Sequence, residues 1–224
     1  IGAVFLTSCQ EEEFVSKRNY AFVESGRITE INESGATAVF EILEPGPSGI
    51  QEYGVEYLES DVAQSGESGI TFLKISEIGS PGNPTVEQRI NYDLIPGREY
   101  LVRPFVKTGN TISYGEPLIF DSRGVNPPII NEISQNELYQ VGQIRLVGDF
   151  FQSRKELNVI ELPELGDNYL IIIDSASRKE LLFTYILSGN GQFEDNAKID
   201  LKVTSGGKSV LIPDAFTIIQ PRIE

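Results

Sequence analysis

From Tyr20 onward the chain is cut into short runs of alternating apolar and polar residues, separated by Gly, Pro, Ser and Asn. No long run with helical periodicity competes with them. Alternation sends successive side chains to opposite faces of a strand, and closely spaced turn residues fold each strand back on its neighbour. The apolar rows are then buried by packing one sheet on another. Tyr53, Val55 and Tyr57 share one face of such a run, and so do Ala36, Ala38, Phe40 and Ile42, although Val39 interrupts the second pattern. The clearest alternation is late: Ile199, Leu201 and Val203 against Asp200, Lys202 and Thr204, followed by a Gly206-Gly207 turn. The expected fold class is all-β, built as antiparallel sandwiches.

A sandwich domain takes roughly 100 residues, so 224 residues predict two in tandem. Gly124-Val125-Asn126-Pro127-Pro128 is rich in turn formers, and its proline pair stiffens an extended connection. We therefore expect a tether over 9–18, a first domain over 19–123, a linker over 124–128 and a second domain over 129–220. Eighteen basic residues against 33 acidic ones leave a net charge of −15. That field repels phosphate backbones, so no nucleic-acid partner is expected. His is absent, which removes Ser-His and Cys-His nucleophile pairs and imidazole metal ligands. No phosphate-cradling glycine loop, GxSxG or cysteine pair occurs. Glu194, Asp195 and Asp200, or Asp167 with Asp174, carry oxygens suited to Ca²⁺ but lack the spacing of an EF-hand loop. They read as solvated loop carboxylates. No catalytic residue, cofactor or metal site is predicted, and the segment is not expected to be an enzyme.

Cys9 closes a short apolar run, Ile1-Gly2-Ala3-Val4-Phe5-Leu6, followed by Thr7 and Ser8. The run is too short to cross a bilayer. The alternative reading, a buried thiol in an N-terminal strand, would set Glu11, Glu12 and Glu13 beside a packed core at several kcal/mol of desolvation each. Leu6-Thr7-Ser8-Cys9 resembles the bacterial lipobox, which implies cleavage before Cys9 and acylation of its sulfur, with residues 1–8 a signal-peptide remnant. Gln10-Glu11-Glu12-Glu13 resembles the export signal that follows the acylated Cys in Bacteroidota lipoproteins. It implies an outer-membrane anchor facing the cell exterior, with Glu11 to Arg18 as spacer. With no Met in the chain, residue 1 is read as a point part-way into a precursor.

Leu94-Ile95-Pro96-Gly97-Arg98-Glu99-Tyr100, with Val102, Pro104 and Val106 alternating after it, resembles the Leu-x-Pro-x-x-x-Tyr pattern of fibronectin type III domains. The resemblance implies a tyrosine corner at Tyr100, its hydroxyl bonded back to nearby backbone. Such domains often bury a Trp; here Tyr20, Phe22, Phe40 or Phe72 is expected to fill that volume. The aromatics of this domain read as core and not as a ligand platform. Pro128-Ile129-Ile130-Asn131-Glu132-Ile133 and Gly142-Gln143-Ile144-Arg145-Leu146-Val147-Gly148, closed by Phe150 or Phe151, resemble the opening of an IPT/TIG domain, which is immunoglobulin-like. Gly148 is expected to serve a positive φ or a close backbone approach. Gln135-Asn136-Glu137 departs from that pattern, so a different loop is expected there. Pro221-Arg222-Ile223 resembles another such opening and implies a further domain starting at 221–224.

Together these resemblances imply two tandem immunoglobulin-like sandwiches in a non-catalytic surface lipoprotein. It would act as spacer and binding module in glycan capture, held to the outer membrane through acyl chains on Cys9. Two alternatives stand beside it: an accessory subunit of an outer-membrane protein complex, and the stalk of an enzyme whose catalytic domain lies past Glu224. Glu44 to Ile50, Ser76 to Pro84 and Lys107 to Ser113 are the candidate ligand loops.

Overall fold

The computed structural model describes residues 20–65, 71–188 and 194–220. Cys9, Gln10, Glu11, Glu12, Glu13 and the segment 221–224 lie outside them. The fold is all-β, as the alternation requires. In the first half run β1 (Phe22–Asn32), β2 (Gly35–Glu44), β3 (Glu52–Glu59), β4 (Leu73–Ile78), β5 (Thr85–Ile90), β6 (Glu99–Thr108), β7 (Thr111–Tyr114) and β8 (Leu118–Asp121), with a short helix α1 (Ser60–Gln64) after β3. One sheet has the order β1-β2-β5; the other has β4-β3-β6-β7, with β8 also on β6. β7 and β8 are two pieces of one edge, pairing with Phe105–Thr108 and Glu99–Val102 in turn.

The rows named from alternation meet between these sheets. Ala36, Ala38 and Phe40 of β2 share a buried cluster with Tyr53, Val55 and Tyr57 of β3 and Tyr100, Val102 and Val106 of β6. Small alanines beside large rings let the two layers interdigitate. Of the aromatics expected to replace a buried Trp, Phe40 is fully buried, whereas Tyr20 is 46% exposed. Phe72 stands outside the core altogether. It is out of phase with Leu73 and Ile75, the β4 side chains that pack on the cluster.

The second half holds β9 (Ile129–Ile133), β10 (Glu137–Leu138), β11 (Val141–Asp149), β12 (Asn158–Glu161), β13 (Tyr169–Ala176), β14 (Glu180–Leu187), β15 (Lys198–Ser205) and β16 (Lys208–Ile218). Sheet β13-β14-β11-β9 faces sheet β10-β16-β15-β12. Their buried rows, among them Ile144, Leu146, Phe183, Tyr185, Ile199, Leu201, Val203 and Phe216, form a second core. Gln135-Asn136-Glu137 is where the chain crosses from β9 in one sheet to β10 in the other. There β10 runs parallel to β16, while Asn136 O accepts the Thr217 N–H at 2.8 Å.

All three loops expected from the sequence are shorter than expected: Glu44 closes β2, and Thr111, Ile112 and Ser113 belong to β7. Ser76, Glu77 and Ile78 continue β4, and Lys107 and Thr108 belong to β6. Polar residues among them made paired strand look like loop.

Candidate functional site

The tyrosine of Leu94-x-Pro96-x-x-x-Tyr100 is buried at the start of β6. Its hydroxyl accepts the Ile95 N–H at 3.0 Å and donates to Asp93 O at 3.1 Å. Leu94 is fully buried behind it, while Pro96 is only partly covered, with its ring against Gly124. An added Cβ at Gly124 would sit 2.8 Å from that ring, so the chain leaving the first core packs closely on the corner. Val125 is itself part of the first core.

The corner loop also carries the contact between the two sandwiches. Asp93 adopts φ 51, a left-handed conformation that Asp tolerates. Its carboxylate accepts the Ser153 N–H at 2.6 Å. Arg154 pairs with Glu59, and the Arg178 guanidinium lies 4.7 Å from the centre of the Tyr92 ring. On another side, Lys208 Nζ donates to Glu33 O at 2.8 Å. Between the sandwiches lies a cavity of about 230 Å³ walled by Leu58, Val62, Leu73, Asp93, Ser153 and Arg154. Burial raises the Asp93 carboxyl above its usual range, against the hydrogen bond from Ser153. Nothing in the sequence marks this junction, because Asp93, Ser153 and Arg154 each look like an ordinary loop residue.

The second notable surface is the outward face of sheet β4-β3-β6-β7. With Tyr53, Val55 and Tyr57 turned inward, Glu52, Gly54 and Glu56 turn outward. Opposite them in register stand Lys107, Phe105 and Arg103 on β6 and Ile78, Ser76 and Lys74 on β4. The Arg103 guanidinium lies 4.0 Å from the centre of the Phe72 ring and 4.3 Å from that of Tyr114. Its Nε and Nη2 both donate to Glu56 Oε2, at 3.0 and 2.7 Å. Lys74 pairs with Glu52 at 2.6 Å and covers the Phe105 ring at 4.7 Å. Hydrogen bonds from Lys74 and Ser76 hold the Glu52 carboxyl below its usual range.

Gly54, opposite Phe105, keeps the sheet closed at this point. An added Cβ at Gly54 would meet the Ile75 carbonyl oxygen at 2.0 Å. Of the aromatics expected to be core, Tyr53, Tyr57, Phe40 and Phe105 are buried, Phe105 beneath Lys74, while Phe72 and the exposed Tyr114 flank Arg103 on the outward face. Phe105 is out of phase with Val102, Pro104 and Val106, so it is buried from the outer side of the sheet, under Lys74.

The two glycines of the second half have separate tasks. A Cβ on Gly142 would lie 2.6 Å from the Tyr185 hydroxyl, and one on Gly148 only 1.8 Å from Ile129 O. Gly148 thus serves the close approach of β9 to β11, and its φ is not positive. Phe151 is the buried closing aromatic. Phe150 takes φ 63, and the Arg178 guanidinium lies 5.9 Å from its ring centre. Asp174 is engaged by Gln143 and Thr184, and Asp200 accepts the Asp214 N–H at 2.9 Å. Among the described residues no group of three or more metal-ligating side chains comes together.

No family model matches this chain, and no curated protein does. A solved structure titled "Myokine structure" aligns over 44% of this chain and 95% of its own, at 16% identity and a TM-score of 0.29. A likeness of that grade carries no functional argument.

Proposed function

We propose that this chain is the anchored part of an outer-membrane surface lipoprotein, a non-catalytic spacer and binding module that captures glycan. The observation that carries the reading is the outward face of β4-β3-β6-β7, where the rings of Phe72 and Tyr114 flank Arg103 and Glu56 is bound to its guanidinium. Ordered rings and ion pairs on rigid strands suit recognition, because their side-chain entropy is lost before any ligand arrives. The junction through Asp93, Glu59 and Tyr92 supports the spacer role by tying the two sandwiches at several points. Cys9 is the proposed acyl site and Gln10, Glu11, Glu12 and Glu13 the proposed export signal.

Labelled palmitate should enter the wild-type chain in a Bacteroidota host and be lost in Cys9→Ala. Protease added to intact cells should cut the protein. Protection in intact cells, with cleavage only after lysis, would reject surface display.

A second reading, an accessory subunit held in an outer-membrane complex, is favoured by one observation. Leu170, Ile186 and Val141 form an exposed row across β13, β14 and β11, with Ile172 beside it. Stoichiometric co-purification of a protein partner after mild detergent extraction would select this reading over the first.

A further inference from the structure

The geometry points to a binding site for a neutral glycan on the outward face of β4-β3-β6-β7, centred on Arg103 and Glu56 between the rings of Phe72 and Tyr114. This inference rests on the reading of the chain as a binding module and names the surface and the ligand class.

Three features of the face select that ligand. The first is what the central ion pair leaves unused. Both bonds from Arg103 end on Glu56 Oε2, so Arg103 Nη1 donates to no described residue. Glu56 Oε1 receives only a long 3.4 Å bond from the Tyr114 hydroxyl. A donor and an acceptor therefore sit side by side, partly open to solvent, with side-chain exposures of 30% for Arg103 and 15% for Glu56. Neighbouring sugar hydroxyls, each both donor and acceptor, match that pair. The flanking rings suit the apolar C–H face of a pyranose, and Tyr114 is 43% exposed.

The second feature is charge. Arg103 is paired with Glu56 and Lys74 with Glu52, so the two cations at the centre of the face are each already matched by a carboxylate; Lys107, opposite Glu52, lies toward the edge of the face, and the whole chain carries −15. Uronate or sulfate groups would meet repulsion at long range, and beside the rings both Arg103 and Lys74 are already paired. The third is polarity. Protein-docking faces have an apolar centre and a polar rim. Here the order is inverted: Lys74, Glu56 and Arg103 hold the middle, and the exposed isoleucines Ile78, Ile112 and Ile119 stand at the margins.

The test is gel electrophoresis of the purified chain through soluble xyloglucan, α-mannan, pullulan and mixed-linkage β-glucan, with polygalacturonate as the acidic comparator. At least one neutral polymer should slow the wild type, and polygalacturonate should not. Tyr114→Ala and Phe72→Ala, both outside the core, should each weaken that retardation by about ten-fold, with thermal melting unchanged. Ile119→Ala, at the margin, should bind as wild type does.

Lack of retardation by every neutral polymer, or retardation by polygalacturonate alone, overturns the ligand class. Equal retardation of the wild type and both ring variants overturns the site. Retardation by polygalacturonate alone leaves glycan capture standing and removes only the neutral ligand class, retardation by no polymer removes both, and acylation at Cys9 and surface display are decided by their own experiments in every case.

Discussion

At the scale of single residues, the tyrosine corner shows how one hydroxyl fixes a loop. Tyr100 satisfies two backbone groups, Ile95 N–H and Asp93 O, that would otherwise lose these partners inside the corner. Tyr100→Phe keeps the ring and removes both bonds. It should cost about 1–3 kcal/mol in urea unfolding, with the fold retained. The corner's position was readable in advance because Leu94, Pro96 and Tyr100 form a spaced pattern. The second use of Asp93 was not, because its partner Ser153 lies 60 positions away and nothing local marks either residue. The same limit hid the platform: Phe72 and Tyr114 are apolar letters in a strand-rich stretch, and only register across the sheet brings both to Arg103.

At the scale of elements, alternation was enough to locate β3, β6 and β15, whose inward rows are buried throughout. It did less well where exposed polar residues dominate, as at the end of β4, or where a strand is too short to show a period, as at β10. Pairing of β9 with β11 depends on a position without a side chain. Gly148→Ala would put a methyl group 1.8 Å from Ile129 O as the backbone stands, forcing β9 away from β11. The substitution should destabilise by about 2–3 kcal/mol. Amide exchange should speed up at the residues of β9 before those of β14.

At the scale of the whole molecule, the junction makes stability depend on pH in a direction opposite to that of most acidic groups. Burial raises the Asp93 carboxyl in the folded chain. Its ionised form is therefore disfavoured there, and the cost is relieved as pH falls through that raised value. An amide in place of the carboxylate would keep an acceptor for the Ser153 N–H and tolerate the same backbone conformation, but could not ionise. Asp93→Asn should thus be as stable as the wild type or more so at pH 8, and the gap should close toward pH 4 in paired unfolding curves. A gap that widened on acidification would refute the burial argument.

The parallel pairing of β10 with β16 joins an early strand of the second sandwich to its last one. If the chain is pulled between its two ends, the bonds Thr217 N–H to Asn136 O and Ile219 N–H to Leu138 O lie across the line of tension. They are sheared together instead of being peeled one at a time. A short strand that looks like a minor edge would thereby resist such a pull more than its two residues suggest.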